Sequence, residues 1–125
     1  DLRINSGAGA DTVSVTSVQA DEARVRLGAG DDQLHISQTT FRDRLRIEGD
    51  ADLTTGDDWI DLTDVKVKEL RIDAGAGDDF VLFSRLKSRE TEVDGQDGSD
   101  RIQILDSKLK DLELENILEE DFLLL

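Results

Sequence analysis

The stretch GAGDDQLHI at residues 28–36 returns as GAGDDFVLF at residues 75–83, and this repetition decides the fold. Each copy joins a glycine-rich turn to a run in which apolar side chains alternate with others. Related segments surround six aspartates: Asp11, Asp32, Asp58, Asp79, Asp100 and Asp121. Four of the five gaps between them have the same length, and only the gap from Asp32 to Asp58 is longer. A fixed period of this kind indicates stacked copies of one structural unit.

Each unit contains three pairs of apolar or small side chains, and the members of a pair are two residues apart. In the second unit these pairs are Leu34 with Ile36, Thr39 with Phe41, and Leu45 with Ile47. Alternation with a period of two is typical of β-strands with one buried face. We therefore predict three short strands and three corners in each unit.

One unit cannot bury these pairs alone, so we expect the units to stack in parallel around a shared core, about 4.8 Å apart. The sequence predicts an all-β fold: a right-handed, three-sided parallel β-helix (β-solenoid) with five to six coils of about 21 residues. The hand follows from the strong right-handed preference of parallel crossovers. Residues 1–125 form one domain with the six aspartates at its corners. One extra residue before Leu45 and an inserted loop at 48–56 account for the long gap. A globular α/β fold would need amphipathic helices, and we find none before residue 105.

Composition restricts the partners. Thirty acidic residues oppose fifteen basic ones, giving a net charge of −15. This charge disfavours nucleic acid and favours cations. The sequence has no cysteine and no apolar run of membrane-spanning length, so we predict neither disulfides nor membrane insertion.

The glycine–aspartate corner concentrates negative charge, because Asp31, Asp57 and Asp78 double the carboxylates of three coils. Two explanations remain open. Each carboxylate accepts backbone N–H groups of its own turn, or Ca²⁺ lies between successive turns and uses carboxylate and carbonyl oxygens. The candidate metal residues are Asp11, Asp31, Asp32, Asp57, Asp58, Asp78, Asp79, Asp97 and Asp100, with Gly28, Gly30, Gly75 and Gly77.

The turns also resemble a known family. GAGADTVSV (7–15), GAGDDQLHI (28–36) and GAGDDFVLF (75–83) resemble the calcium-binding nonapeptide of RTX proteins. They differ at its first glycine, where Ser6, Leu27 and Ala74 stand, and the motif occurs only once in each unit. The resemblance implies turns that hold Ca²⁺ and a secreted or bacterial cell-surface location. The chain is also similar to Gly-Asp-rich β-helical repeats of bacterial surface or secreted proteins, which implies a structural or adhesive role.

The inserted loop offers a second candidate calcium site, because Asp50 and Asp52 lie in a pattern similar to a D-x-D calcium loop. The corner between the second and third strands carries acidic residues, most of them next to a base. We expect that corner to be self-neutralised. Its acids are Glu22, Asp43, Glu69, Glu90 and Asp111.

The outward side of the first strand carries the remaining candidates. Trp59, Phe80 and Leu82 form a predicted apolar patch for a polysaccharide or protein partner. His35 beside Asp61 is the candidate acid–base pair of an alternative carbohydrate-cleaving enzyme. No Ser/His/Asp or paired-Glu pattern accompanies them, so we interpret the chain as a non-catalytic structural or adhesive module. The coil ends lack polar caps, so we expect further coils, a covering domain or self-association there or through the Trp59/Phe80 patch.

Overall fold

The computed structural model describes residues 1–49, 55–117 and 122–124, and all its regular elements are β-strands. Within these ranges it contains no helix, and hence none of membrane-spanning length. The strands are β1 (Leu2–Asn5), β2 (Thr12–Thr16), β3 (Gln19–Arg26), β4 (Gln33–Glu48), β5 (Trp59–Asp73), β6 (Phe80–Ser84), β7 (Lys87–Asp94), β8 (Arg101–Leu105), β9 (Lys108–Glu115) and β10 (Phe122–Leu124).

The strands pair in parallel with their copies in the next coil. Val13 faces Leu34 between β2 and β4, and Val81 faces Ile102 between β6 and β8. About five turns stack in this way, with about 21 residues in each. The all-β parallel β-solenoid is therefore confirmed, whereas its right-handed sense stays a prediction.

Two of the three corners in each coil form without glycine. Six residues after each described corner aspartate, the backbone turns with φ between 46° and 57°; the residues are Ser17, Gln38, Asp64, Arg85 and Asp106. At the next corner the alternation breaks, because two neighbouring side chains both point away from the core. Arg89 and Glu90 of β7 are such a pair. Each coil thus has three strand segments separated by three corners.

The extra residue of the long repeat lies at this last corner. The register of β4 with β5 shifts between Thr40 and Arg44, so Arg44 pairs with Glu69. Arg44, and not Asp43, therefore stands in the column between Glu22 and Glu69. The prediction for Asp43 was wrong by one position, because the bulge offsets the frame. Residues 50–54 of the inserted loop lie outside the described residues.

The core is a narrow stack of the predicted apolar pairs. Leu34, Ile36, Leu45 and Ile47 of β4 are at most 1% exposed. Two polar side chains that share this core bond to nearby carbonyls: Thr39 Oγ1 donates to the Ser37 oxygen and Ser88 Oγ to the Glu90 oxygen, both at 2.8 Å. Each Å² of apolar surface that is buried stabilises the stack by about 25 cal/mol. This burial also fixes which face of each strand points inward.

Candidate site at the glycine–aspartate corner

The glycines allow the turns of successive coils to approach closely. Gly28 has φ 93° and Gly30 has φ 120°, in the region that favours glycine. The Ala29 N–H donates to the Gly7 carbonyl at 3.1 Å, and the Ala29 carbonyl accepts from Gly9 at 2.7 Å. A Cβ on Gly28 would overlap the Gly7 carbonyl oxygen. The turns are therefore joined by backbone hydrogen bonds, and a side chain at Gly28 would separate them.

In four coils the side chain of the corner aspartate points into the molecule and is almost completely buried. Asp32, Asp58, Asp79 and Asp100 are 1–3% exposed, whereas Asp11 is half-buried. Each of these four accepts, at Oδ1, the backbone N–H of the corresponding aspartate in the preceding coil, at 2.8–2.9 Å. We call this series the inner ladder. Asp121 lies outside the described residues.

The neighbouring aspartates form a second series on the surface, which we call the outer ladder. Asp31 Oδ1 accepts the Asp57 N–H at 2.9 Å, and Asp57 Oδ1 accepts the Asp78 N–H at 2.9 Å. Asp78 Oδ1 accepts the Ser99 N–H at 2.8 Å. Here each carboxylate bonds to the following coil, opposite to the inner ladder. An Asp-Asp pair therefore connects its turn to the turns on both sides.

These bonds differ from the own-turn hydrogen bonds of the first of the two explanations, because they join neighbouring coils. The backbone explains the difference, because strand pairing begins one residue after each inner aspartate. The Trp59 N–H, for example, donates to the Asp32 carbonyl at 2.8 Å. The N–H of the aspartate itself then needs another acceptor, and the neighbouring carboxylate provides it. The carboxylates thus complete the hydrogen bonding of the turns.

Burial controls the charge of the inner ladder. It raises the pKa of Asp100 from 3.8 to about 6, although the hydrogen bond from the Asp79 backbone opposes the shift. Burial also raises the pKa of Asp32, where the neighbouring charges of Asp11 and Asp31 act in the same direction. The second oxygens of Asp32 and Asp100 are buried without a hydrogen-bond partner. An ionised carboxylate is costly in such a position.

The corner offers few oxygens that converge on one point. Among the described residues, no three histidine, aspartate or glutamate side chains are close enough together to hold a metal ion. Turn carbonyls are also engaged, since the Asp97 carbonyl accepts the Gly77 N–H at 3.0 Å. Gly75, another predicted contributor, has φ 97°. Asp50 and Asp52 lie outside the described residues. Calcium at this corner stays a prediction.

The structure brings the predicted aromatic residues together on the outward side of the first strand segment. Trp59 is 44% exposed, and its ring centroid lies 4.5 Å from that of Phe80 with the planes tilted by 36°. Leu82 is half-buried on β6, opposite Asp61. His35 Nδ1 lies 3.4 Å from Asp61 Oδ2. The predicted partner patch and the candidate acid–base pair thus share one face.

A further charged feature escaped the sequence reasoning. The outward positions of the second strand segment carry a base in three successive coils, at Lys66, Lys87 and Lys108. The sequence does contain a signal for them, because these lysines are one repeat apart and share one position of the unit.

Comparisons with protein-family models, curated proteins and solved structures produced no match to this chain. The resemblance to RTX turns therefore stays an interpretation of the sequence. The parallel β-solenoid follows independently from the strand register.

Proposed function

We propose that this chain is a non-catalytic structural module, a stiff β-solenoid segment whose glycine–aspartate corner joins its coils. The observation that carries the proposal is the pair of aspartate ladders. They add side-chain hydrogen bonds in both directions along a corner where strand pairing is interrupted. An assembly of this kind resists separation of its coils, which suits a spacer or an adhesive stalk at a bacterial surface.

The absence of catalysis is tested on polysaccharides, since His35 and Asp61 are the one candidate acid–base pair that the sequence suggested. The purified chain is incubated with neutral and acidic polysaccharides, and new reducing ends are measured. We expect none above the buffer control. Reducing ends that disappear in the His35→Ala variant would contradict the proposal.

We also propose that Ca²⁺ associates with the outer ladder. Asp31, Asp57 and Asp78 present carboxylates in a row, one coil apart, and their Oδ2 atoms take no part in the ladder bonds. Calcium prefers oxygen ligands and keeps water in its remaining positions at open sites. Bound calcium would offset the repulsion between neighbouring carboxylates.

Thermal unfolding with and without calcium tests this part. At ten times its dissociation constant, a ligand that binds the folded state alone stabilises by about 1.4 kcal/mol, which corresponds to about 4 °C or more in Tm. We expect such a rise with CaCl₂, its reversal by EDTA, and a smaller rise in Asp57→Asn. An unchanged midpoint together with no heat in a calorimetric titration would reduce the corner to hydrogen-bonded turns.

A second candidate function is carbohydrate binding by the Trp59/Phe80 patch. The exposed, tilted ring pair supports it, because aromatic faces at this exposure can stack on the apolar face of a sugar. We expect Trp59→Ala to weaken binding of a neutral glucan about tenfold, as is usual for an aromatic hot spot. Affinity electrophoresis measures this, and no retardation of the parent protein would eliminate the candidate.

A further inference from the structure

All five lysines of the chain lie on one face of the solenoid, although the protein carries a net charge of −15. They belong to the second strand segment of three successive coils. Two arginines continue the pattern. We call this set the lysine face; its members are Arg42, Lys66, Lys68, Lys87, Arg89, Lys108 and Lys110.

The register sets these charges in a grid. Lys66 pairs with Lys87, and Lys87 pairs with Lys108, so the three stand directly opposite one another along the solenoid. A second column follows two residues later, made of Lys68, Arg89 and Lys110. Neighbouring rows are separated by one coil, about 4.8 Å. Six of its seven cations therefore form a regular array of two columns and three rows, and Arg42 lies in the preceding coil.

Most of this array has no internal partner. Lys68 Nζ lies 3.3 Å from Asp43, and Arg42 lies 3.5 Å from Asp21. The other five cations are exposed, and no carboxylate of the described ranges forms an ion pair with them: Lys66, Lys87, Arg89, Lys108 and Lys110. Like charges placed directly opposite one another destabilise a sheet. The array thus keeps a repulsion that an anionic ligand would relieve.

The third strand segment shows how the chain otherwise arranges exposed charge. There, a column of arginines stands two residues from a column made mostly of carboxylates, and the two columns form diagonal pairs. Arg24 and Arg26 are both bonded to Glu48, at 2.9 and 2.8 Å. The acidic corner column stands beside the lysine face, and its Glu69 is bonded to Arg44 at 3.1 Å. Acidic residues are therefore available nearby, yet the lysine columns themselves carry a single sign.

The cations border a shallow groove along the second strand segment, and their long side chains form its sides. Phe41, Val67 and Ser88 lie beneath it and point into the core. The aliphatic stems give the groove an apolar lining and raise their charged ends into water, which suits a polymer with an apolar body and regularly spaced anions. The groove runs along the direction in which the coils repeat.

We propose that the lysine face binds a linear acidic polysaccharide lying along the solenoid, with carboxylate groups matched to successive rows. Two observations favour this polymer over nucleic acid. The face lacks an exposed aromatic side chain for base stacking, since Phe41 is 1% exposed and Trp59 lies on another segment. Five of its seven cations are lysines, which attract carboxylates as point charges, whereas paired phosphate recognition favours arginine.

Binding of polygalacturonate at low ionic strength, followed by calorimetry or biolayer interferometry, tests the proposal. We expect the parent protein to bind it, and Lys87→Gln/Arg89→Gln to weaken binding about three- to tenfold, as the loss of two exposed charge contacts predicts. Affinity should fall as salt is added, since the Debye length shrinks from about 10 Å at 0.1 M to about 3 Å at 1 M.

A matched variant separates the face from total charge. Arg46→Gln/Arg71→Gln removes the same charge from the third segment of neighbouring coils and should leave the dissociation constant within about twofold of the parent value, as expected for charges distant from the contact. Trp59→Ala should also bind polygalacturonate normally, and neutral dextran should not compete with polygalacturonate for the lysine face. No binding by the parent protein, equal losses in both double variants, or equal or tighter binding of oligodeoxythymidylate would overturn the proposal. Melting curves of all variants confirm that each is folded.

Discussion

Gly28→Ala is expected to lower the free energy of unfolding by about 3 kcal/mol or more, since two penalties add. The alanine must adopt φ 93°, which costs about 1–2 kcal/mol for a residue with a Cβ. Its Cβ must also displace the carbonyl of Gly7, which is held by a hydrogen bond from Ala29. Chemical denaturation of the variant measures the sum.

Gly7→Ala is the matched control for this prediction. Gly7 occupies the same position of the preceding repeat with φ 96°, but a Cβ there meets nothing within 4 Å. We expect a loss of about 1–2 kcal/mol, the conformational penalty alone. Gly28→Asn provides a second comparison at the same site, because asparagine tolerates positive φ but keeps the Cβ. If Gly28→Asn is nearly as stable as the parent protein, overlap between coils is not the cause.

The fold could be predicted because its strongest signals are local and repeated. The apolar pairs at Leu34/Ile36 and Val81/Phe83 fixed both the strand period and the register of successive coils. The positive φ at the corner residues Ser17, Gln38 and Arg85 was not predicted, since non-glycine residues with positive φ have no distinctive composition. Only their constant distance from the corner aspartates marks them. The sequence predicted the one extra residue of the bulge, but it assigned Asp43, and not Arg44, to the position beside Glu69.

The sequence predicted which corner carries the aspartates, but not the hydrogen bonds that their carboxylates form. Alternation already contained the missing information: Asp32 stands two residues before Leu34 and shares its inward direction, while Asp31 points outward. The hydrogen bonds between coils could not be read from the sequence. They depend on where strand pairing begins, and that is a property of the stacked backbone. The spacing of the lysines predicts their columns, but the columns were overlooked because the net negative charge favoured cations as ligands.

The inner ladder gives the molecule an unusual expected response to pH. The raised pKa of Asp100, about 6 against 3.8, means that the folded state binds a proton more tightly than the unfolded chain. The resulting stabilisation is fully present below pH 3.8 and is lost as pH rises through about 6. At about 1.36 kcal/mol for each pKa unit, a difference of about two units sets an upper limit of about 3 kcal/mol. Among the acidic groups that face this carboxyl in the described residues, Asp78 and Asp94 raise its pKa, whereas the hydrogen bonds with Asp79 lower it.

Asp100→Asn isolates this contribution. The amide oxygen can still accept the Asp79 N–H, while the ionisable group is removed. At pH 7.5 in EDTA, we expect the variant to exceed the parent protein by about 1–3 kcal/mol in free energy of unfolding, with the advantage disappearing by about pH 4. Denaturant titrations at several pH values measure the difference directly.

Since the whole chain also becomes less negative on acidification, the exposed Asp97→Asn serves as the control for one lost charge. It should change stability by no more than about 0.5 kcal/mol at any pH. A pH-independent difference between Asp100→Asn and the parent protein would show that the buried carboxyl does not take up a proton in this range.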